Sequence, residues 1–234
     1  MNGTDIKLVS YYRARPEESI EERHAEITRN MREFGPPLGW AGLPVPPAPD
    51  CGADLSADYS VKYPIPGLQH MAFYSYRSER YLGPDEASYD DTFILSFKTD
   101  NRYLDYRAIL HEHFPKAIHA FRAYQAAVRV GLYAINYLDE NKDSYQRLRA
   151  DKSTDVNGRN NIFTLHVATY WDDLLCRRAL GYGPKEAIRR LRGKVPLVMP
   201  LMDGVYTVFS DDPDLSFAEF AAINDKFKSI LDLA

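Results

Sequence analysis

The chain runs to 234 residues, 45% hydrophobic, 26% charged and 13% aromatic with 17 tyrosines, which is enough to bury a sizeable core in one domain or two small halves sharing an interface. The formal net charge of -4 argues against a general nucleic-acid binder, which needs basic excess to displace counterions from phosphates. Cys51 and Cys176 are the only cysteines and carry no CxxC or companion histidine spacing, so neither a disulfide framework nor a metal site is expected.

In chain order, Asp5 to Arg13 (DIKLVSYYR) is rich in β-branched and aromatic residues and predicts a strand. A helix follows from Pro16, with Glu17, Glu18, Glu21 and Glu22 at the positive end of its dipole and Ile20, Ile27, Met31 and Phe34 at helical spacing up to Gly35. The proline-rich run from Gly35 to Gly52 predicts a long surface connection anchored by Trp40. His70 to Tyr76 and Thr92 to Lys98 predict two paired strands around an excursion carrying Asp85, Glu86, Asp90 and Asp91.

Tyr103 to Tyr124 predicts two helices, or one kinked helix, interrupted at Pro115. Ala126 to Leu138 reads as one long strand, and a polar stretch then leads to the Asn157-Gly158 turn and a further strand, Ile162 to Ala168. A helix is expected from Tyr170 to Gly181, and another from Pro184 to Gly193. Its basic run, Arg177 to Lys194, reads as a solvated helix face. Two strands turning at Asp203-Gly204 and a terminal helix starting at Ser216, capped by Ser216 and Glu219, close the chain.

Adjacent strand pairs give an α+β class, antiparallel sheets with helices packed on one face. A weak internal echo admits two similar halves, 1–138 and 160–234, joined by a polar connection over 139–159, within a single domain spanning 1–234. The N-terminus lacks the basic start and apolar core of a signal peptide, and no run approaches the ~18 apolar residues of a membrane span. The expectation is a cytoplasmic protein with neither membrane nor nucleic acid as partner.

Catalytic motifs do not emerge: there is no nucleophile elbow, Walker loop, dinucleotide fingerprint or HExxH. His111 and His113 point to different helix faces, His24 sits in a charged helix, and His166 reads as a surface or rim residue beside Thr164. The expectation is no enzyme activity, no metal and no cofactor. An alternative is a small metabolic or nucleotide-modifying enzyme using Asp155 to Asn161 (DVNGRNN) with His166, and a structural subunit that self-associates is a third reading. Among the late aspartates, Asp203 is assigned to the hairpin turn and Asp214 to the approach to the helix, which leaves Asp211 and Asp212 without a local structural role.

YYRARPEESIEERHAEITRNMREF, YWDDLLCRRALG and the closing VPLVMPLMDGVYTVFSDDPDLSFAEF together resemble the immunity proteins of bacterial polymorphic and type VI secretion toxin systems. They are similar to immunity family 52 and a related type VI immunity domain at Tyr12, Arg15, Pro16, Trp171, Gly204, Val205 and Pro213. The likeness touches both ends of the chain but not 35–52 or 140–161. It implies a protein that binds one cognate secreted toxin, a nuclease effector encoded nearby, and occludes it. Asp85, Glu86, Asp90, Asp91, Asp211 and Asp212 are then the candidate contacts with a basic toxin surface.

Overall fold

The computed structural model describes residues 3–47, 49, 57–62, 64–82, 85–150 and 155–233; Cys51, Gly52, Gly83 and Pro84 lie outside them. The class is α+β, with helices packed on one antiparallel sheet. Its strands are β1 (Asp5–Tyr12), β2 (Ala57–Lys62), β3 (Gln69–Tyr74), β4 (Asp91–Lys98), β5 (Gln125–Val130), β6 (Ala168–Trp171), β7 (Leu197–Leu201) and β8 (Gly204–Val208), in the order β2-β3-β4-β1-β5-β6-β8-β7. The eight strands form one continuous sheet, joined at its middle by the β5–β6 pairing.

The period-2 alternation of β1 sorts its residues between two faces. Ile6, Leu8 and Tyr12 lie on the face of Phe93, Leu95 and Val128, which buries the main core against α1 (Ile20–Met31) and α4 (Phe114–Phe121). Lys7, Val9 and Tyr11 point the other way. Register carries that second face through Gln125 to Trp171 and Val205, where α7 (Asp173–Leu180) and α8 (Pro184–Leu191) cover it. The second face is therefore covered by α7 and α8 at β6 and β8, where Trp171 and Val205 are buried, and in part by α5 (Tyr133–Glu140) and the segment 157–166 over β1 and β5.

The predicted first helix starts later than Pro16, at a full capping box between Ser19 and Glu22. Terminal α9 (Phe217–Leu231) begins as expected, with the same box between Ser216 and Glu219. The predicted pairing of β3 with β4 is present. The Pro-rich connection tucks Leu38 and Trp40 into the core, and the Trp40 indole donates to His70 Nδ1 at 3.2 Å.

Five expectations shift. The helical run from α3 (Tyr106–Ala108) to α4 is not split at Pro115; a π turn over Ile109–His113 precedes it, giving room for a residue that has no amide to donate. The strand expected to reach Leu138 stops at Val130, where Gly131 turns with φ +44°, and the apolar residues beyond it wind into α5 (Tyr133–Glu140). The next polar stretch adds α6 (Lys142–Ala150). The strand expected over Ile162 to Ala168 forms only from Ala168, because Asn224 takes the backbone of Leu165 in place of a neighbouring strand. Tyr170 and Trp171 consequently belong to β6, with Asp172 capping α7 through Leu175 N at 2.7 Å.

Fifth, the late hairpin turns one residue earlier, at Met202 and Asp203, with Met202 at φ 48°. Gly204 is already a strand residue. Its glycine is required by close approach rather than by turn geometry: a Cβ there would sit 2.1 Å from the Trp171 carbonyl oxygen.

Candidate functional site

The six acidic positions nominated by the sequence divide sharply. Asp90 and Asp91 are inside the protein. Asp91 accepts from Arg77 at 2.6 and 2.9 Å and from Ser75 N at 2.9 Å, with fully buried Arg23 3.9 Å away. Asp90 takes the Arg159 guanidinium, 2.9 Å from Nε, and the Tyr124 hydroxyl. Both carboxylates are spent on internal arginines, which removes them from any contact surface.

The other four remain at the surface. Asp85 is bound by Arg178 at 2.5 Å and by Arg159 at 3.4 Å, while Glu86 is exposed ahead of a short 3-10 turn. Asp211 does have a structural role: it faces His111 and Arg107, each at 2.9 Å, and ties the end of β8 to the π turn. Exposed Asp212 accepts from Asp214 N at 2.9 Å, a local turn bond. Several arginines of the basic run are likewise paired, Arg177 with Asp173, Arg189 with Glu186, and Arg190 with Glu186 and Asp232.

A cavity of about 290 Å3 opens on the second face of the sheet, between β1, β5 and β6 below and α5 with the segment 157–166 above. Four of the side chains lining it are polar and buried: Gln125 (8% exposed), Thr164 (3%), Thr169 (1%) and His166 (8%). Gln125 Oε1, Thr169 Oγ1 and His166 Nδ1 have no hydrogen-bond partner. At the mouth stand two exposed cations, Lys7 and Arg129, directly opposite each other in the β1–β5 register. Arg129 also donates to the Tyr11 hydroxyl. The roof is fixed by Asn157, whose Oδ1 accepts from Phe163 N at 2.7 Å and Thr164 N at 2.8 Å.

His166 is therefore not the surface residue expected from its strand-like neighbours. Burial, with Arg129 nearby, pushes its pKa down to about 3, so it is neutral near pH 7 and a weak base. Asp155 does not join it: its carboxylate holds Ala87 N at 2.8 Å and Arg159 N at 3.0 Å, bracing a loop. His24 is likewise on the buried face of α1, held between the Tyr74 hydroxyl and the Pro46 carbonyl at 2.9 and 3.0 Å. Burial raises the Cys176 thiol to about 12, which leaves no nucleophilic thiolate there.

Among the described residues there is no group of three or more His, Cys, Asp or Glu side chains able to hold a metal ion. Nor is any helix among them long and apolar enough to cross a membrane. Lys7, Gln125 and Thr169 escaped the sequence reading. The available signal was polar residues alternating with apolar ones in β1 and β5, which ordinarily marks a solvated face.

No family model matches the sequence, and no curated protein matches it. Among solved structures the chain is similar to a Pseudomonas aeruginosa T6SS protein, PA0821, with a TM-score of 0.50 and 12% identity, over 98% of this chain and 73% of that one. At that identity the likeness is one of fold.

Proposed function

We propose that this protein is an immunity protein, a binding inhibitor without catalytic activity that neutralises a cognate toxin in a type VI secretion context. The observation that carries the reading is the shared fold with the T6SS protein across nearly the whole chain. The segments of the sequence that resemble type VI immunity proteins add independent support. Within this reading the toxin is a nuclease effector encoded nearby, and the chain occludes it by direct contact.

The contact surface is then narrower than the sequence suggested. Glu86, Asp212, Asp85 and Asp211 keep solvent access, and such charges at the edge of an interface act mainly on the rate of association. Apolar anchoring comes from Leu132 and Ile135, 64% and 57% exposed and close together at the start of α5.

The test is co-expression with the toxin encoded beside this gene. The two proteins are expected to co-elute in gel filtration, and cells carrying both are expected to survive. Glu86→Lys with Asp212→Lys is expected to slow association at low salt, and Ile135→Asp to speed dissociation. Failure of the folded wild-type protein to bind or protect against any neighbouring effector sinks the proposal.

A further inference from the structure

The cavity on the second face holds an unusual concentration of unmet polar demand. Buried polar groups in folded proteins are overwhelmingly hydrogen-bonded, and each one left unpaired costs about 1–3 kcal/mol. Here Gln125 Oε1, Thr169 Oγ1 and His166 Nδ1 all lack a partner and all belong to side chains lining the same space. They come from three places in the chain: β5, β6 and the segment leading into β6. A single defect in packing would not gather them.

Charge points the same way. Lys7 and Arg129 are a directly opposed cross-strand pair, a placement in which like charges repel and destabilise the sheet. No acid stands among the described residues that line the cavity, although the chain as a whole is acidic. Trp171, Ala127 and Leu138 add apolar wall. The volume, near the lower end of the range for ligand pockets, is far larger than one water molecule needs.

We propose that this cavity binds a small organic anion, its carboxylate or phosphate held at the mouth by Lys7 and Arg129, its apolar body against Trp171 and Leu138, and a polar end on Gln125, Thr169 and His166. The neutral His166 ring serves as a hydrogen-bonding group in that site, without adding charge. Anion binding is a property of the free chain and does not require a toxin; Leu132 and Ile135, the proposed apolar anchors, line the same cavity, so a toxin docked on them would cover the anion.

Phenyl phosphate and benzoate are the probes, titrated calorimetrically into the full chain, with phenol and inorganic phosphate as partial mimics. An aryl anion is expected to bind with a dissociation constant of about 1 mM or tighter, and phenol at least roughly tenfold more weakly. Arg129→Gln, at an exposed position, is expected to weaken the aryl anion roughly tenfold and to remove most of its salt dependence. Thr169→Val keeps the shape of the side chain and removes one unpaired oxygen, so it is expected to raise the melting temperature of the free protein while weakening the probe. If neither aryl anion binds, if phenol binds as tightly as phenyl phosphate, or if Arg129→Gln and Thr169→Val leave binding unchanged, the proposal is overturned and the cavity is an ordinary hydrated gap.

Discussion

At the scale of single residues, the molecule places much of its charge inside. Arg23 is fully buried, its guanidinium 3.6 Å from the centroid of the Tyr12 ring, donating to Glu26 at 2.8 Å and to the Phe121 carbonyl. Asp91 is the carboxylate partner of buried Arg77 and lies 3.9 Å from Arg23, so truncating it leaves Arg77 without a counter-charge and Arg23 with Glu26 alone. Asp91→Ala is expected to cost about 3–5 kcal/mol of unfolding free energy, read from urea denaturation, whereas Asp212→Ala at an exposed turn is expected to leave the midpoint where it was. Equal effects at the two positions would contradict the burial of Asp91. Buried histidines make a second prediction. His70 and His166 are both pushed down to about 3 from an ordinary 6.5, chiefly by burial, so between those values the unfolded chain binds protons that the native state does not. Their contribution is complete above pH 6.5 and is lost as pH falls toward 3, at up to about 1.4 kcal/mol per pH unit for each ring. His166→Gln is expected to flatten the dependence of urea stability on pH between about 4 and 6; an unchanged slope would mean that the ring is accessible to protons in the native state.

At the scale of elements, what was legible in the sequence is what local chemistry decides. The capping box at Ser216, the stop at Gly181, the Pro184 helix start and the alternation of β4 all depend on neighbours within a few residues, and all four stand in the fold. What was not legible depends on distant partners. The segment Ile162 to Val167 has the composition of a strand, yet Asn224 on α9 accepts from Leu165 N at 2.7 Å and returns a hydrogen bond to Leu165 O at 2.9 Å, acting as a one-residue strand. No local pattern announces that a fully buried asparagine 59 positions away will do this. The same holds for the candidate site: His166 was visible as a residue, but its cavity exists only because β1, β5 and β6 are neighbours. Asn224→Leu keeps similar bulk while leaving both Leu165 backbone groups unpaired, and is expected to lower stability by about 2–4 kcal/mol. Hydrogen exchange at Leu165 checks the cause. If its amide stays as protected in the variant as in the parent protein, Asn224 is not what holds the segment.

At the scale of the whole molecule, the question is whether the two sequence halves fold as one unit. The β5–β6 junction is short, only three residue pairs, and taken alone it would be a weak seam. It is braced from both faces. On one, Arg13 binds Asp172 at 2.6 Å and lies 3.9 Å from the centroid of the Tyr124 ring, while Asp172 N donates to the Tyr124 carbonyl at 2.8 Å. On the other, the Tyr206 hydroxyl of β8 donates to the Leu110 carbonyl at 2.7 Å, and its ring meets Phe114 at 6.2 Å between centroids. One hydrophobic cluster consequently runs from Ile6 to Tyr206 without a break at the junction. The expectation is a single cooperative unfolding transition. The chain's two tryptophans make this measurable, since Trp40 lies in the first half and Trp171 in the second, both buried. In Trp171→Phe the fluorescence reports the first half, and in Trp40→Phe the second; within each variant the fluorescence and far-ultraviolet circular dichroism midpoints in urea are expected to coincide. A fluorescence transition that separates from the circular dichroism transition in either variant would show that the halves unfold independently and that the braces across β5 and β6 are too weak to couple them.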